Sequence, residues 1–125
     1  MTNKILIIDD EAALVFPLAK LLENNGYEVD TADNGKSGIY KAIAGDPGLI
    51  ILDVMMDGMN GWEVCSTLRS HPKTKDVKII MLTCNDSDAD FARSKEIRAD
   101  WFIIKPYENS YILTVISKLL KNPLA

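Results

Sequence analysis

The side chains best suited to chemistry stand in four places: Asp9-Asp10-Glu11, Asp53, Thr83 and Lys105-Pro106. Each follows a short apolar run. Carboxylates brought together without a counter-ion repel, and at least one must then hold a proton. A hard divalent cation removes that conflict. Mg2+ takes oxygen ligands, keeps several waters, and is typically held by one or two carboxylates beside phosphate oxygens. A carboxylate beside such an ion can also attack phosphorus, giving an aspartyl phosphate. The Thr83 hydroxyl can donate to a phosphoryl oxygen. Lys105 is a point positive charge that can pair first with Asp53 and then with the phosphoryl group. Metal and lysine together would neutralise the charge that spreads over the phosphoryl oxygens during transfer.

These residues can meet only if the elements that carry them share an edge. Ile5 to Ile8, Leu49 to Leu52, Ile79 to Leu82 and Trp101 to Ile104 are apolar on consecutive residues and of strand length. Such runs suit strands buried on both faces. Tyr27 to Ala32 alternates apolar and acidic residues, which fits an edge strand. Between these lie segments with helical spacing. Leu14, Leu18, Leu21 and Leu22 form one stripe, ended by Gly26. Ile39, Ala42 and Ile43 form a second, and Trp62, Cys65 and Leu68 a third. Asp86 to Ile97 is the least apolar candidate. Ile112, Val115, Ile116, Leu119 and Leu120 make the clearest stripe, with Asn109 or Ser110 as the expected cap. Pro17 conflicts with a regular first helix, which must start late, near Phe16, or kink there. The alternation βαβαβαβαβα predicts an α/β fold, a parallel sheet covered by helices on both faces. In such sheets ligands bind beyond the carboxyl ends of the strands, where all four groups fall.

A chain of 125 residues, 47% hydrophobic and 26% charged, predicts a single globular domain over residues 1–125. Its net charge of −4 gives no general attraction for nucleic acid or anionic membranes. The first apolar run is too short for a secretion signal or a membrane span, so the expected location is cytoplasmic. Cys65 and Cys84 make no metal-ligand spacing and read as buried free thiols. His71 reads as an exposed loop residue, Met55, Met56 and Met59 as loop and packing residues, and Lys73, Lys75 and Lys78 as a solvated basic loop.

In order and spacing, Ile5-Leu6-Ile7-Ile8-Asp9-Asp10-Glu11, the stretch Asp53-Val54-Met55-Met56-Asp57-Gly58-Met59-Asn60-Gly61, Leu82-Thr83 and Lys105-Pro106 resemble the motifs of response-regulator receiver domains in two-component signalling. The resemblance covers essentially the whole chain. It implies a flavodoxin-like, doubly wound (βα)5 fold with a five-stranded sheet in the order 2-1-3-4-5. It implies Mg2+ as cofactor, held by Asp9 and Asp10, one directly and one mainly through water, by Asp53, and by the Met55 backbone carbonyl. Asp53 corresponds to the phosphoacceptor, Thr83 to the switch hydroxyl and Lys105 to the family's lysine. The Lys105-Pro106 peptide corresponds to one usually found cis. Phe102 corresponds to the switch aromatic. The implied donor is a sensor histidine kinase or phosphotransfer protein. The implied output is a partner or domain that reads the surface of the fourth helix, fifth strand and fifth helix. Neither membrane nor direct nucleic-acid contact is implied. Such a chain is a phosphoacceptor that assists its own phosphorylation and dephosphorylation, not an enzyme acting on outside substrates. Three positions depart from the family: Asp57 stands where proline is usual, Cys84 where a small residue is usual, and Phe102 where tyrosine is commoner.

Other readings of the same residues exist. Asp9-Asp10-Glu11 would also suit a helix N-terminus, where acids favour the macrodipole. A flavin or nucleotide module on the same fold needs a phosphate-cradling Gly, Ser or Thr loop after the first strand, and three acids stand there instead. A degenerate receiver acting as a phosphorylation-independent interaction module would not need the full set of Asp9, Asp10, Asp53, Thr83 and Lys105. A small metal-dependent phosphatase would need a further general acid.

Overall fold

The computed structural model describes residues 3–84 and 98–121. Its elements are β1 (Lys4–Ile8), α1 (Ala12–Asn24), β2 (Glu28–Ala32), α2 (Gly35–Gly45), β3 (Leu49–Asp53), α3 (Gly61–Ser70), β4 (Lys78–Thr83), β5 (Trp101–Ile104) and α4 (Asn109–Leu120). The expected helix over Asp86 to Ile97 lies outside the described residues. The five strands form one sheet in the order β2-β1-β3-β4-β5, and every pairing is parallel. β2, with its alternating pattern, is an edge strand as expected.

The consecutive apolar runs are explained by two cores on opposite faces of this sheet. Leu6, Ile8, Ile50, Leu52, Ile79 and Met81 point to one face and pack with Ala42 of α2 and Trp62, Val64, Cys65 and Leu68 of α3. Ile5, Ile7, Leu49, Ile51, Ile80, Leu82 and Ile103 point to the other and pack with Leu18 and Leu22 of α1 and Ile112, Val115, Ile116 and Leu120 of α4. Each fully buried Ile or Leu contributes about 1.5–3 kcal/mol relative to exposure. The sheet is therefore held from both sides, and its strand ends are fixed in register.

The helix ends differ in places from the sequence expectation. α1 starts at Ala12 and runs through Pro17, so it does not begin late near Phe16. Pro17 and Ala13 are both exposed, so water can satisfy the Ala13 carbonyl that a proline nitrogen leaves unpaired. Leu14, the first member of the predicted stripe, is exposed, because it lines an open groove beyond the sheet edge. α4 is capped by Glu108, whose carbonyl accepts from the Tyr111 and Ile112 amides, and not by the side chain of Asn109 or Ser110. α3 has a full capping box: Asn60 Oδ1 accepts from Glu63 N at 3.0 Å and Glu63 Oε1 from Asn60 N at 3.2 Å. His71 ends that helix, half-buried, its Nδ1 accepting from Lys73 N.

α3 begins directly against the carboxyl end of β3. The Gly61 N–H donates to the Val54 carbonyl at 3.0 Å. A Cβ at Gly61 would collide with the Asp53 carbonyl oxygen and stand 2.8 Å from Val54 Cα. Those atoms are backbone and cannot yield cheaply. We expect Gly61→Ala to destabilise the fold by about 3 kcal/mol, the upper part of the usual overpacking range. Urea unfolding checks this, and a loss under about 0.5 kcal/mol, typical of neutral surface changes, would contradict it.

Candidate functional site

Register sets the site. Ile8 pairs with Leu52, Asp53 with Leu82, and Thr83 with Ile104. Asp9 follows β1, Thr83 ends β4, and Lys105 follows β5, so all three reach the edge where Asp53 ends the central strand. Asp9, Asp53 and Thr83 are buried, Asp53 being only 2% exposed, whereas Asp10 is exposed. Lys105 Nζ lies 3.0 Å from Asp53 Oδ1 and 4.0 Å from Asp9 Oδ2. Its main-chain N–H donates to the Thr83 carbonyl at 2.7 Å, and the Lys105-Pro106 peptide is cis. Carboxylate oxygens of Asp9, Asp10 and Asp53 all lie within 4.8 Å of one another. Asp9 Oδ1 accepts from the Glu11 amide at 3.0 Å, and Asp10 Oδ2 accepts from the Asp57 amide at 3.1 Å.

The electrostatics follow from that packing. Burial pushes Asp53 above the ordinary carboxylate range, opposed by its hydrogen bond to Lys105 and that residue's charge. Burial also raises Asp9. The Glu11 amide and Lys105 pull it back, while Asp53 pushes it up further. For Lys105, burial works downward, but the hydrogen bond and charge of Asp53, joined by Asp9 and Glu11, outweigh it and raise its pKa. One lysine therefore serves two buried acids. Among the described residues, Asp53 Oδ2 is buried with no hydrogen-bond partner. A buried carboxylate oxygen left bare, beside two further carboxylates, fits a hard cation that takes oxygen ligands. Asp9, Asp10 and Asp53 are the residues that would hold it.

The remaining sequence candidates fall around this centre. The Met55 side chain is 68% exposed, two residues past Asp53. Phe102 is half-buried and packs on the α2–α3 face. Cys65 is buried and its thiol is pushed up to about 11 by burial. Cys84 is exposed, contrary to the expectation of two buried thiols, because it lies one residue past β4 at the mouth of a groove. That groove, about 510 Å³, runs between α1 and the start of α4, with Asp9, Leu14, Pro17, Lys105 and Tyr107 among its lining. Sequence reasoning missed Tyr107 and both amide contacts to the acidic pair. Main-chain donors leave no trace in residue types, and Tyr107 had only its nearness to Lys105 to mark it.

Residues 5–117 match the family profile of the response regulator receiver domain. The chain belongs to that family. It is 36% identical over 121 residues to the alkaline phosphatase synthesis transcriptional regulatory protein PhoP of Bacillus subtilis, covering 97% of this chain and 50% of that protein. It is 36% identical over 122 residues to the transcriptional regulatory protein CusR of Escherichia coli, covering 98% of this chain and 53% of that one. The receiver thus spans about half the length of these relatives. Among solved structures, the chemotaxis protein CheY4 of Vibrio cholerae superposes with a TM-score of 0.90 at 28% identity, over 95% of this chain and 99% of that one. The signal receiver domain of a signal transduction histidine kinase from Syntrophus aciditrophicus gives 0.88 at 32% identity, over 94% and 89%. The five-stranded 2-1-3-4-5 sheet is the flavodoxin-like architecture of these receivers. Receiver domains are generally not classical enzymes. No helix among the described residues is long and apolar enough to cross a membrane.

A pH dependence arises from the raised carboxylates. The native state binds protons at Asp9 and Asp53 that the unfolded chain has already released at its ordinary value near 3.8. Their contribution to stability therefore falls as pH rises from that value through the raised native pKa values. Lys105, raised from 10.5, sits far above this window and loses its contribution only as pH climbs from 10.5 through its raised native pKa. In EDTA, the melting temperature of Asp9→Asn should fall less than wild type between pH 4 and 7. At neutral pH, MgCl2 at about ten times its Kd should restore about 1.4 kcal/mol to wild type. Parallel pH profiles for the two proteins would contradict this account.

Proposed function

We propose that Asp53 accepts a phosphoryl group from a sensor histidine kinase or phosphotransfer protein, and that the modified receiver then presents a changed surface to its output. One observation carries the reading: Asp53 is buried at the end of the central strand, one oxygen bonded to Lys105 and the other bare beside Asp9 and Asp10. A carboxylate oxygen attacks phosphorus, a P–O bond forms, and the P–N bond to the donor histidine breaks with its electron pair leaving on the imidazole. Asp9, Asp10, Asp53 and the Met55 carbonyl hold Mg2+, which when bound offsets the negative charge of carboxylates and phosphoryl oxygens. Lys105 already stands at the acceptor, 3.0 Å from Asp53 Oδ1, and supplies a positive charge there. Thr83 donates its hydroxyl to a phosphoryl oxygen. Water later hydrolyses the acyl phosphate in the same site, which makes dephosphorylation a property of the receiver itself.

The output reading rests on β5. Lys105 comes directly after this strand, and Phe102 lies within it. Movement of Thr83 and Lys105 toward the phosphoryl group repacks Phe102 and alters the surface of β5 and α4. The curated relatives are transcriptional regulators by name, and the receiver spans half of each. An acidic receiver of net charge −4 acts on such an output through protein contacts, without touching nucleic acid itself, and works in the cytoplasm.

Incubation with a radiolabelled small phosphodonor and MgCl2 tests the acceptor. Wild type should take up label that is stable to denaturation and lost in alkali, as an acyl phosphate is. Asp53→Asn should lower incorporation by at least about 100-fold, the scale expected when a nucleophile is removed. EDTA should do the same to wild type. Label retained by Asp53→Asn would reject Asp53 as the acceptor.

A further inference from the structure

Asp57 stands where receivers usually carry proline, and its main-chain N–H donates to Asp10 Oδ2 at 3.1 Å. A proline there has no hydrogen to give. The two residues are 47 apart in sequence and lie on different loops, after β1 and after β3. Asp10 is exposed, and the charge of Asp53 beside it favours swinging its carboxylate out into water. Among the described residues, the Asp57 amide is the hydrogen-bond donor that meets that carboxylate. It is a charge-assisted bond, of the stronger class.

The donor is itself held firmly. Val54 N donates to the Leu82 carbonyl at 2.9 Å and Gly61 N to the Val54 carbonyl at 3.0 Å, fixing both ends of the loop. Met56 is buried in the α2–α3 core. Gly58 turns the chain with φ +78°, which glycine adopts without strain, and the Asn60–Glu63 capping box locks the first turn of α3. The amide therefore points at Asp10 from a rigid frame. The bare Asp53 Oδ2 supplies an independent sign that the cluster awaits a ligand.

We infer that the Asp57 amide is a positioning group: it holds Asp10 inward in the metal-free receiver, so that a divalent cation meets a preassembled acidic pair, and it ties the loop after β3 to that site. The inference rests on the reading that these carboxylates bind a divalent cation. The relevant property of Asp57 is that it is not proline. Its own carboxylate is exposed and dispensable for this role.

MgCl2 titration followed by the fluorescence of Trp62, buried at the start of α3, and by calorimetry gives the test. Asp57→Pro should weaken Mg2+ binding about tenfold, the lower end of the effect of losing a group that orients a metal ligand. Asp57→Asn keeps the amide and should stay within about twofold, since only a screened surface charge is lost. In an Asp10→Ala background, Asp57→Pro should cost nothing further. Equal affinity for wild type and Asp57→Pro overturns the inference while leaving the cation site standing. No saturable response in wild type overturns both. Amide exchange of Asp57 in the metal-free protein gives a second measure that does not depend on the proline variant folding. Asp10→Ala should speed it about tenfold or more, as loss of a protecting bond does, and unchanged exchange overturns the inference.

Discussion

A carboxylate buried at the end of the central strand, and only partly neutralised, is the constraint around which this receiver is arranged. Asp53 is withdrawn from water, yet one of its oxygens has no hydrogen-bond partner among the described residues. Burying an ion is costly unless it is paired and hydrogen-bonded. Lys105 meets part of that requirement at 3.0 Å, and it must also serve Asp9 at 4.0 Å. Retaining three acids together makes sense as an arrangement poised for a cation and for a phosphoryl group.

Only a parallel sheet could assemble it this way. In an antiparallel sheet, neighbouring strands end on opposite edges. Here β1, β3, β4 and β5 all end on one edge, and the order β2-β1-β3-β4-β5 sets Asp53 between the donors of the acids and of the lysine. Lys105 approaches from beyond β4, a distance that its long side chain spans and a shorter one could not. The opposite edge is bound for rigidity instead. Arg69 donates to the Arg98 and Val77 carbonyls and to Asp100, whose carboxylate also accepts the Ile79 amide at 2.8 Å. That knot fastens the end of α3 to the entries of β4 and β5. The cost of gathering buried acids at the functional edge can be borne because the other edge and both apolar faces are fixed.

The fold was legible where burial is two-sided. Ile5 to Ile8, Leu49 to Leu52 and Ile79 to Leu82 are apolar without interruption because helices cover both faces of the sheet. That the acids, Thr83 and Lys105 share one edge was legible from their joint placement after four strand-length runs, since each alone also suits an ordinary helix start, strand end or turn. Legibility failed where the deciding groups are main-chain. The α4 cap is a carbonyl contact at Glu108, so Asn109 and Ser110 misled. Pro17 suggested a late start or a kink, and the helix starts at Ala12 because an exposed face lets water take up the freed carbonyl. Leu14 kept the helical period yet lies beyond the sheet, over the groove. Cys84 inherited an apolar neighbourhood from β4 while standing one residue outside it. The segment 86–97 had the weakest pattern of all, charged and sparsely apolar.

Phe102 and Trp101 show how a charge at Asp53 can be felt elsewhere. Strand alternation sends Phe102 to the α2–α3 face and Trp101 to the α1–α4 face. Trp101 Nε1 donates to the Tyr111 hydroxyl at 3.1 Å, and Lys118 Nζ lies 5.9 Å from the centre of its ring. β5 therefore touches both cores and α4, and the residue after it carries the lysine bonded to the acceptor. A new doubly charged group on Asp53 competes for Lys105 directly. The 2.7 Å bond from the Lys105 amide to the Thr83 carbonyl ties the end of β4 to the residue that follows β5. Because packed cores settle into discrete arrangements and do not deform smoothly, such a pull would, on the proposed reading, be answered by repacking around β5 and not by a graded bend. A coupling of about 1–3 kcal/mol is enough to shift that balance some 5–150-fold. On the proposed reading, Phe102, which lacks a phenol hydroxyl, would report the change through the apolar surface it covers or uncovers and not through a hydrogen bond from that ring.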